Sequence, residues 1–170
     1  MASILMCLFI QKLTIMLKFR RATVDDTLLY FEWANDAEVR AQSFSSQKIN
    51  FEDHKKWFLS KLMNKECFLF VFTNESNTNI GQVRIQEENE QGAIIGLSIA
   101  AEFRGQGYAK EMLKLASDFF LSTRLQFVIN AYIKESNLNS KYAFENAGFE
   151  FVNMIEYENF NSFHYIKKLK

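Results

Sequence analysis

The amino-acid sequence predicts one mixed α/β domain built on a central sheet. Short apolar runs with the two-residue alternation of strands are interleaved with stretches whose apolar residues recur at helical spacing. No linker, repeat or low-complexity tract divides the chain. A length of 170 residues with 48% hydrophobic content suits one sizeable core.

Taken in order, residues 17–21 alternate apolar and basic side chains, as a strand does. Thr23 to Asp26 reads as a capping box before a helix at 28–33. A second helix at 51–62 places Phe51, His54, Trp57, Phe58 and Leu62 near one face. Strands follow at 68–73, 80–86 and 93–100, with an acidic hairpin tip, Glu87 to Gly92, between the last two. A helix from Gly107 turns Met112, Leu113, Ala116, Phe119 and Phe120 inward. A strand at 127–133, a helix at 138–146 and a closing hairpin at 149–155 and 161–169 complete the chain. The sum is a sheet of about seven strands flanked by about four helices, with three antiparallel strands meeting a strand–helix–strand unit.

Twenty basic residues balance twenty acidic ones. A nucleic-acid binder ordinarily carries a basic surplus, because phosphate contacts dominate its affinity, so no nucleic-acid partner is expected. Cys7 and Cys67 lack metal-type spacing and read as reduced thiols of an intracellular protein; no metal is expected. Residues 2–10 are mostly apolar but lack the basic flank and cleavage site of a secretory signal and are shorter than a membrane span. Met16 reads as the natural start, with residues 1–15 as an extension that need not be native and 16–170 as the single domain. A cytoplasmic location without a membrane partner is the expectation, and a homodimer is left open.

The stretch that carries chemistry runs from Gly96 to Leu113. A strand leads into Arg104-Gly105-Gln106-Gly107-Tyr108-Ala109-Lys110, where an amphipathic helix begins. Glycines and an alanine at a helix start let a bulky anion approach the backbone. The free N–H groups of the first turn and the positive end of the helix dipole then hold it. Arg104 and Lys110 add charge. A Walker loop would require a Gly-Lys-Ser/Thr ending, and a dinucleotide fingerprint a Gly-x-Gly-x-x-Gly; both are missing.

Arg104-x-x-Gly107-x-Ala109 resembles the Arg/Gln-x-x-Gly-x-Gly/Ala signature of GNAT acetyltransferases. A second stretch, Asn137-x-x-Ser140 through Phe144-Glu145-Asn146-Ala147-Gly148-Phe149, is similar to that family's later signature. The resemblance extends from Leu17 to the C-terminus. It implies the GNAT fold with a splayed pair of strands, and an acetyl-CoA co-substrate. Its diphosphate would lie on Arg104, Gly105, Gln106, Gly107, Tyr108, Ala109 and Lys110. Its pantetheine arm would run along Leu97, Ser98 and Ile99, with Asn137, Ser140 and Phe144 completing the cofactor site.

Two departures bear on catalysis. The tyrosine that often acts as general acid falls at Phe144, and the glutamate some members use as base falls at or near Ala93. Ala101 stands where proline is common, which only loosens the turn. An alkylamine has a pKa of roughly 10.4, so a base or water relay helps its attack. His54 is the candidate base, with a packing role beside Trp57 equally open. Glu87, Glu88 and Glu90 read as a solvated hairpin tip and His164 as structural.

The acceptor residues are expected in the early helices. Trp33-x-Asn35-Asp36-x-x-x-Arg40, Ser43-Phe44 and Ile49-x-x-x-x-His54-x-x-Trp57-Phe58 combine aromatic faces with a cation, suited to stacking a base or sugar and pairing an anion. Core packing of Trp33, Phe44 and Trp57 is the alternative. The pattern, with Gly81-Gln82-Val83-Arg84, resembles the nucleotide-sugar branch of the family that works in pseudaminic-acid synthesis. That branch implies acetylation of the C4 amine of a UDP-linked amino-deoxy sugar, with Asn35, Arg40, Phe44, Trp57 and Arg84 on the acceptor side. A ribosomal-protein-type N-terminal acetyltransferase and a non-catalytic acetyl-CoA-binding domain remain as alternatives.

Overall fold

The computed structural model describes residues 16–169. Strand β1 (Lys18–Arg21) is followed by a 3-10 turn (Val24–Asp26) and helices α1 (Thr27–Asn35), α2 (Ala37–Gln42) and α3 (Phe51–Met63). Strands β2 (Cys67–Thr73), β3 (Asn79–Glu87) and β4 (Gly92–Ile99) lead through a second 3-10 turn (Ala101–Phe103) to α4 (Tyr108–Thr123). Strand β5 (Val128–Lys134), α5 (Leu138–Asn146), β6 (Glu150–Tyr157) and β7 (Phe160–Lys168) end the fold. The expected strands are all present. The helices number five among the described residues, because the first helical stretch is two. Asp36 takes extended dihedrals (φ −54°, ψ 135°), ending α1, and its carboxylate accepts the N–H groups of Glu38 and Val39 to start α2. The sequence-level capping box is formed: Asp26 accepts the Thr23 N–H at 2.7 Å while a bidentate pair with Arg20 holds its other side.

The sheet order is β1-β2-β3-β4-β5-β7-β6, antiparallel except where β4 meets β5. One core lies on the α4 and α5 side of the sheet, where Met112, Leu113, Ala116, Phe120 and Leu121 pack on Phe70, Phe72, Val83, Ile85 and Ile129. Burial of such side chains contributes roughly 1.5–3 kcal/mol each, which fixes α4 on the sheet. A second core beneath α1 and α3 gathers Tyr30, Trp33 and Phe58 on Cys67, Leu69 and Val71. Phe119, expected inward, is 40% exposed. Its ring meets Phe19 and Phe70 in edge-to-face pairs.

Strands β4 and β5 pair in parallel only at Gly92–Val128, Ala93–Ile129 and Ile94–Asn130. Beyond those three pairs both strands continue but part. At the same level β3 and β4 stay tightly joined: a Cβ on Gly81 would collide with the carbonyl oxygen of Ser98. The sheet therefore opens on one side of β4 alone.

Candidate active site

The parting of β4 and β5 opens a cleft of about 990 Å³. Hydrogen bonding along β4 determines which backbone groups face it. Ala100 N–H donates to Ile80 O, so by the alternation of an antiparallel ladder the even-numbered residues of β4 bond to β3. Beyond the last parallel pair, Leu97 and Ile99 then turn their amides to the gap. Leu97 and Ile99 thus present backbone groups where a pantetheine arm was expected. Ser98 differs: its backbone faces β3, and its Oγ accepts from Gln82 Nε2 at 3.0 Å.

At one end of the cleft stands the N-terminus of α4. Gly105 (φ 72°) and Gly107 (φ 85°) adopt the left-handed conformation that favours glycine. Gly107 is the N-cap and has no side chain to satisfy the first-turn N–H groups. A Cβ on Gly105 would meet no atom within 4 Å, so the turn borders open space. Gly105, Gly107, Tyr108, Ala109 and Lys110 all line the cleft. Gln106 does not; its Nε2 folds back to donate to Glu102 O at 2.7 Å. Across the gap Asn137, Ser140 and Phe144 also line it, with Asn137 Oδ1 capping α5 by accepting the Ser140 N–H.

Arg104 borders the cleft, but its guanidinium is engaged elsewhere. Nε donates to Ile99 O at 3.0 Å, Nη2 to Asp36 Oδ1 at 2.6 Å and Nη1 to Glu38 Oε2 at 2.9 Å. Burial alone would raise the Asp36 pKa, yet the Val39 N–H and the Arg104 guanidinium hold the carboxyl below its ordinary value.

The other end of the cleft is aromatic and cationic. Arg40, Phe44 and Arg84, all expected there, line it. Arg84 sits opposite Gly96, whose bare Cα leaves open space above the sheet. Two expected residues lie behind this wall. Trp57 supports Arg84, whose guanidinium is 5.7 Å from the ring centroid, and Asn35 closes a loop by exchanging hydrogen bonds with the Ile49 backbone. His54 does not line the cleft. It is 3% exposed among Phe31, Trp57 and Phe58, neither ring nitrogen has a partner, and burial lowers its pKa.

Among the lining residues that escaped sequence reasoning are Tyr132, Lys134 and Tyr157. The Tyr132 ring is stacked on Tyr157 at 4.0 Å and on His164 at 4.8 Å, and His164 Nε2 meets Asn130 Oδ1 at 2.8 Å. Burial, and after it Glu88, raises the pKa of both phenols. Lys134 is 8% exposed; its Nζ rests 3.9 Å from the Phe160 ring centroid and donates to Ala41 O at 3.3 Å. The period-two alternation of Tyr132 and Lys134 with the core residues Ala131 and Ile133 is the only sequence signal that marked them.

Among the described residues the charged cleft lining is Glu38 against Arg40, Arg84, Arg104, Lys110 and Lys134. Glu38 is paired with Arg104, and Lys110 lies 3.6 Å from Glu111. Arg40, Arg84 and Lys134 have no carboxylate partner among the described residues; Arg40 donates instead to Ser43 Oγ and Ser45 O. No group of three or more His, Cys, Asp or Glu among those residues could hold a metal ion, and no helix is long and apolar enough to cross a membrane.

Residues 16–150 match the family model described as acetyltransferase (GNAT) domain. Among solved structures, the chain is similar to the spermidine N-acetyltransferase of Vibrio cholerae in complex with CoA and spermine. The two share 17% identity and a TM-score of 0.78 over 88% of this chain and 93% of that one. It is also similar to the aminoglycoside acetyltransferase AAC(6')-Ib bound to coenzyme A and kanamycin, with 17% identity and a TM-score of 0.77 over 90% and 95%. An uncharacterised protein of Bacillus halodurans gives 20% identity and a TM-score of 0.77 over 89% and 83%. Among the curated proteins compared, none is a match.

Proposed function

The chain belongs to the GNAT acetyltransferase family, and from that premise we propose that it carries the acetyl group of acetyl-CoA to the C4 amine of a UDP-linked amino-deoxy sugar. The observation that carries the acceptor assignment is the wall of Arg40, Arg84 and Lys134, three cations without a carboxylate. Unit charges 4 Å apart interact by about 4 kcal/mol at an effective dielectric of about 20. Such a wall repels a polyamine or an aminoglycoside and attracts a diphosphate. Phe44 and the Tyr132–Tyr157 stack beside it offer apolar ring surface for a base or sugar.

On this reading the free N–H groups at residues 105–110 grip the cofactor diphosphate, aided by the α4 dipole. The gap-facing amides of Leu97 and Ile99 guide the pantetheine arm and leave the thioester where β4 and β5 part. Asn137, Ser140 and Phe144 flank that arm from α5. The sugar amine attacks the thioester carbonyl carbon, backbone N–H groups of β4 stabilise the oxyanion, and the carbon–sulfur bond breaks to release CoA as thiolate. The nitrogen loses one proton and the thiolate gains one. Phe144 cannot donate a proton, Glu38 is paired and His54 lies outside the cleft, which leaves both transfers to water or to the phenols that line the cleft, Tyr108, Tyr132, Tyr142 and Tyr157. Catalysis then rests on alignment, which can contribute roughly 7–11 kcal/mol.

The test is thiol release from acetyl-CoA with a panel of acceptors: UDP-4-amino-4,6-dideoxy-N-acetyl-altrosamine, spermidine, kanamycin and ribosomal-protein N-terminal peptides. Release above the blank with the nucleotide sugar alone is expected. Turnover of a polyamine or a peptide in its place overturns the acceptor assignment. CoA binding with no release on any acceptor establishes a non-catalytic domain.

A further inference from the structure

The family resemblance places Arg104 among the cofactor's ligands, but all three of its guanidinium nitrogens are already bonded within the protein. Two of them reach α2, at its N-cap Asp36 and its first-turn Glu38. Helix α2 has no buried residue, so apolar packing does little to place it. It is instead tied at both ends. Its start is joined through Arg104 to the loop after β4, and its Ala41 carbonyl accepts from Lys134 on β5. The helix thus spans the mouth of the parted strands. It carries Arg40, whose guanidinium shapes the turn through Ser43 and Ser45 and so sets Phe44 against Tyr157.

We propose that Arg104 is a positioning residue for the acceptor rather than a ligand of the cofactor, locking α2 across the opening so that the Arg40–Phe44 wall faces the thioester. The acceptor's identity rests on the nucleotide-sugar reading; the lock itself does not. Partly exposed ion pairs are individually weak, but a short helix without a buried face has little else to hold it.

The experiment compares wild type with Arg104→Gln, which keeps the backbone cradle, and with Glu38→Gln, which cuts the same lock from the far side. Three quantities are measured: amide exchange across residues 37–45, CoA affinity by calorimetry, and the separate KM values for acetyl-CoA and the UDP-amino sugar. Exchange over 37–45 should quicken about tenfold in Arg104→Gln and by less in Glu38→Gln, which leaves the Asp36 pair, while that of α4 is unchanged in both. CoA affinity should stay within about threefold, and acceptor KM should rise about tenfold with kcat little altered. The double variant should be no worse than Arg104→Gln alone, since Arg104→Gln already severs the Glu38 contact together with those to Asp36 and Ile99. Unchanged exchange over 37–45, or a tenfold loss of CoA affinity confined to Arg104→Gln, overturns the lock. If wild type ignores the UDP-amino sugar, the acceptor reading falls, while the exchange and CoA measurements still decide the role of Arg104.

Discussion

The two ends of the cleft are built differently. The end proposed for the cofactor is made of backbone: the first-turn N–H groups of α4, preceded by two left-handed glycines, Gly105 and Gly107. The end proposed for the acceptor is made of side chains that converge from α2, β3, β5 and β6: Arg40, Arg84, Tyr132, Lys134 and Tyr157. A backbone site is specified by a few adjacent residues and tolerates change elsewhere. A convergent site can alter its ligand by single substitutions while the fold and the donor stay the same. The same fold in a spermidine and an aminoglycoside acetyltransferase is consistent with that division.

The sharpest way to break the contrast is Gly107→Val. A branched side chain at φ 85° would stand in the anion site, and CoA affinity should fall at least about 100-fold by calorimetry. The left-handed penalty of roughly 1–2 kcal/mol should lower the melting midpoint by only about 2–8 °C. A folded variant with normal CoA affinity would remove the diphosphate from this turn. At the other end, Arg84→Met deletes one charge-assisted contact worth roughly 1.5–3 kcal/mol, so acceptor KM should rise about 10- to 100-fold. The acetyl-CoA KM should not move; if both KM values rise together, the two ends are not independent.

Lys134→Met should separate affinity from stability. The ammonium is buried without a carboxylate, so its removal should weaken acceptor binding about tenfold while the melting midpoint of the free protein does not drop. A drop of several degrees would mean that its bond to Ala41 outweighs its burial. The smallest effect is expected from His54→Leu. Its nitrogens have no partner to lose, so kcat/KM should hold within about threefold, and a large loss would reinstate it in catalysis. Burial lowers the folded pKa of His54, so the unfolded chain binds protons more readily. Stability should therefore decline as pH falls through the ordinary value of 6.5, and melting curves from pH 7.5 to 5.5 should show it. The variant should keep part of that slope, because burial lowers His164 in the same sense.

The contrast also explains what the sequence disclosed. The strands, α4, α5 and the glycine turn were legible because each depends on neighbours a few residues away. Asp36 lies within the Trp33-to-Arg40 pattern, but its division of the early helix is not legible there, since Asp is also tolerated inside helices. The pairing of Arg104 with Asp36 and Glu38 is not legible in the sequence, because the partners lie 68 and 66 residues distant. Lys134 and Tyr132 passed unnoticed for a related reason: on a strand, only the fold determines that the polar face lines a cleft. Asn35, Trp57 and His54 stand one layer behind the cleft wall.

The three-pair seam between β4 and β5 has a mechanical consequence. The seven strands form two panels, four on one side and three on the other, hinged along a short stitch and bridged by α4 and α5. A pantetheine chain laid in the opening would stand in for the missing ladder, so the reagent would serve as a removable rung of the scaffold. Loading the enzyme should then stiffen it, and discharge of the spent carrier should loosen the seam again with every catalytic cycle.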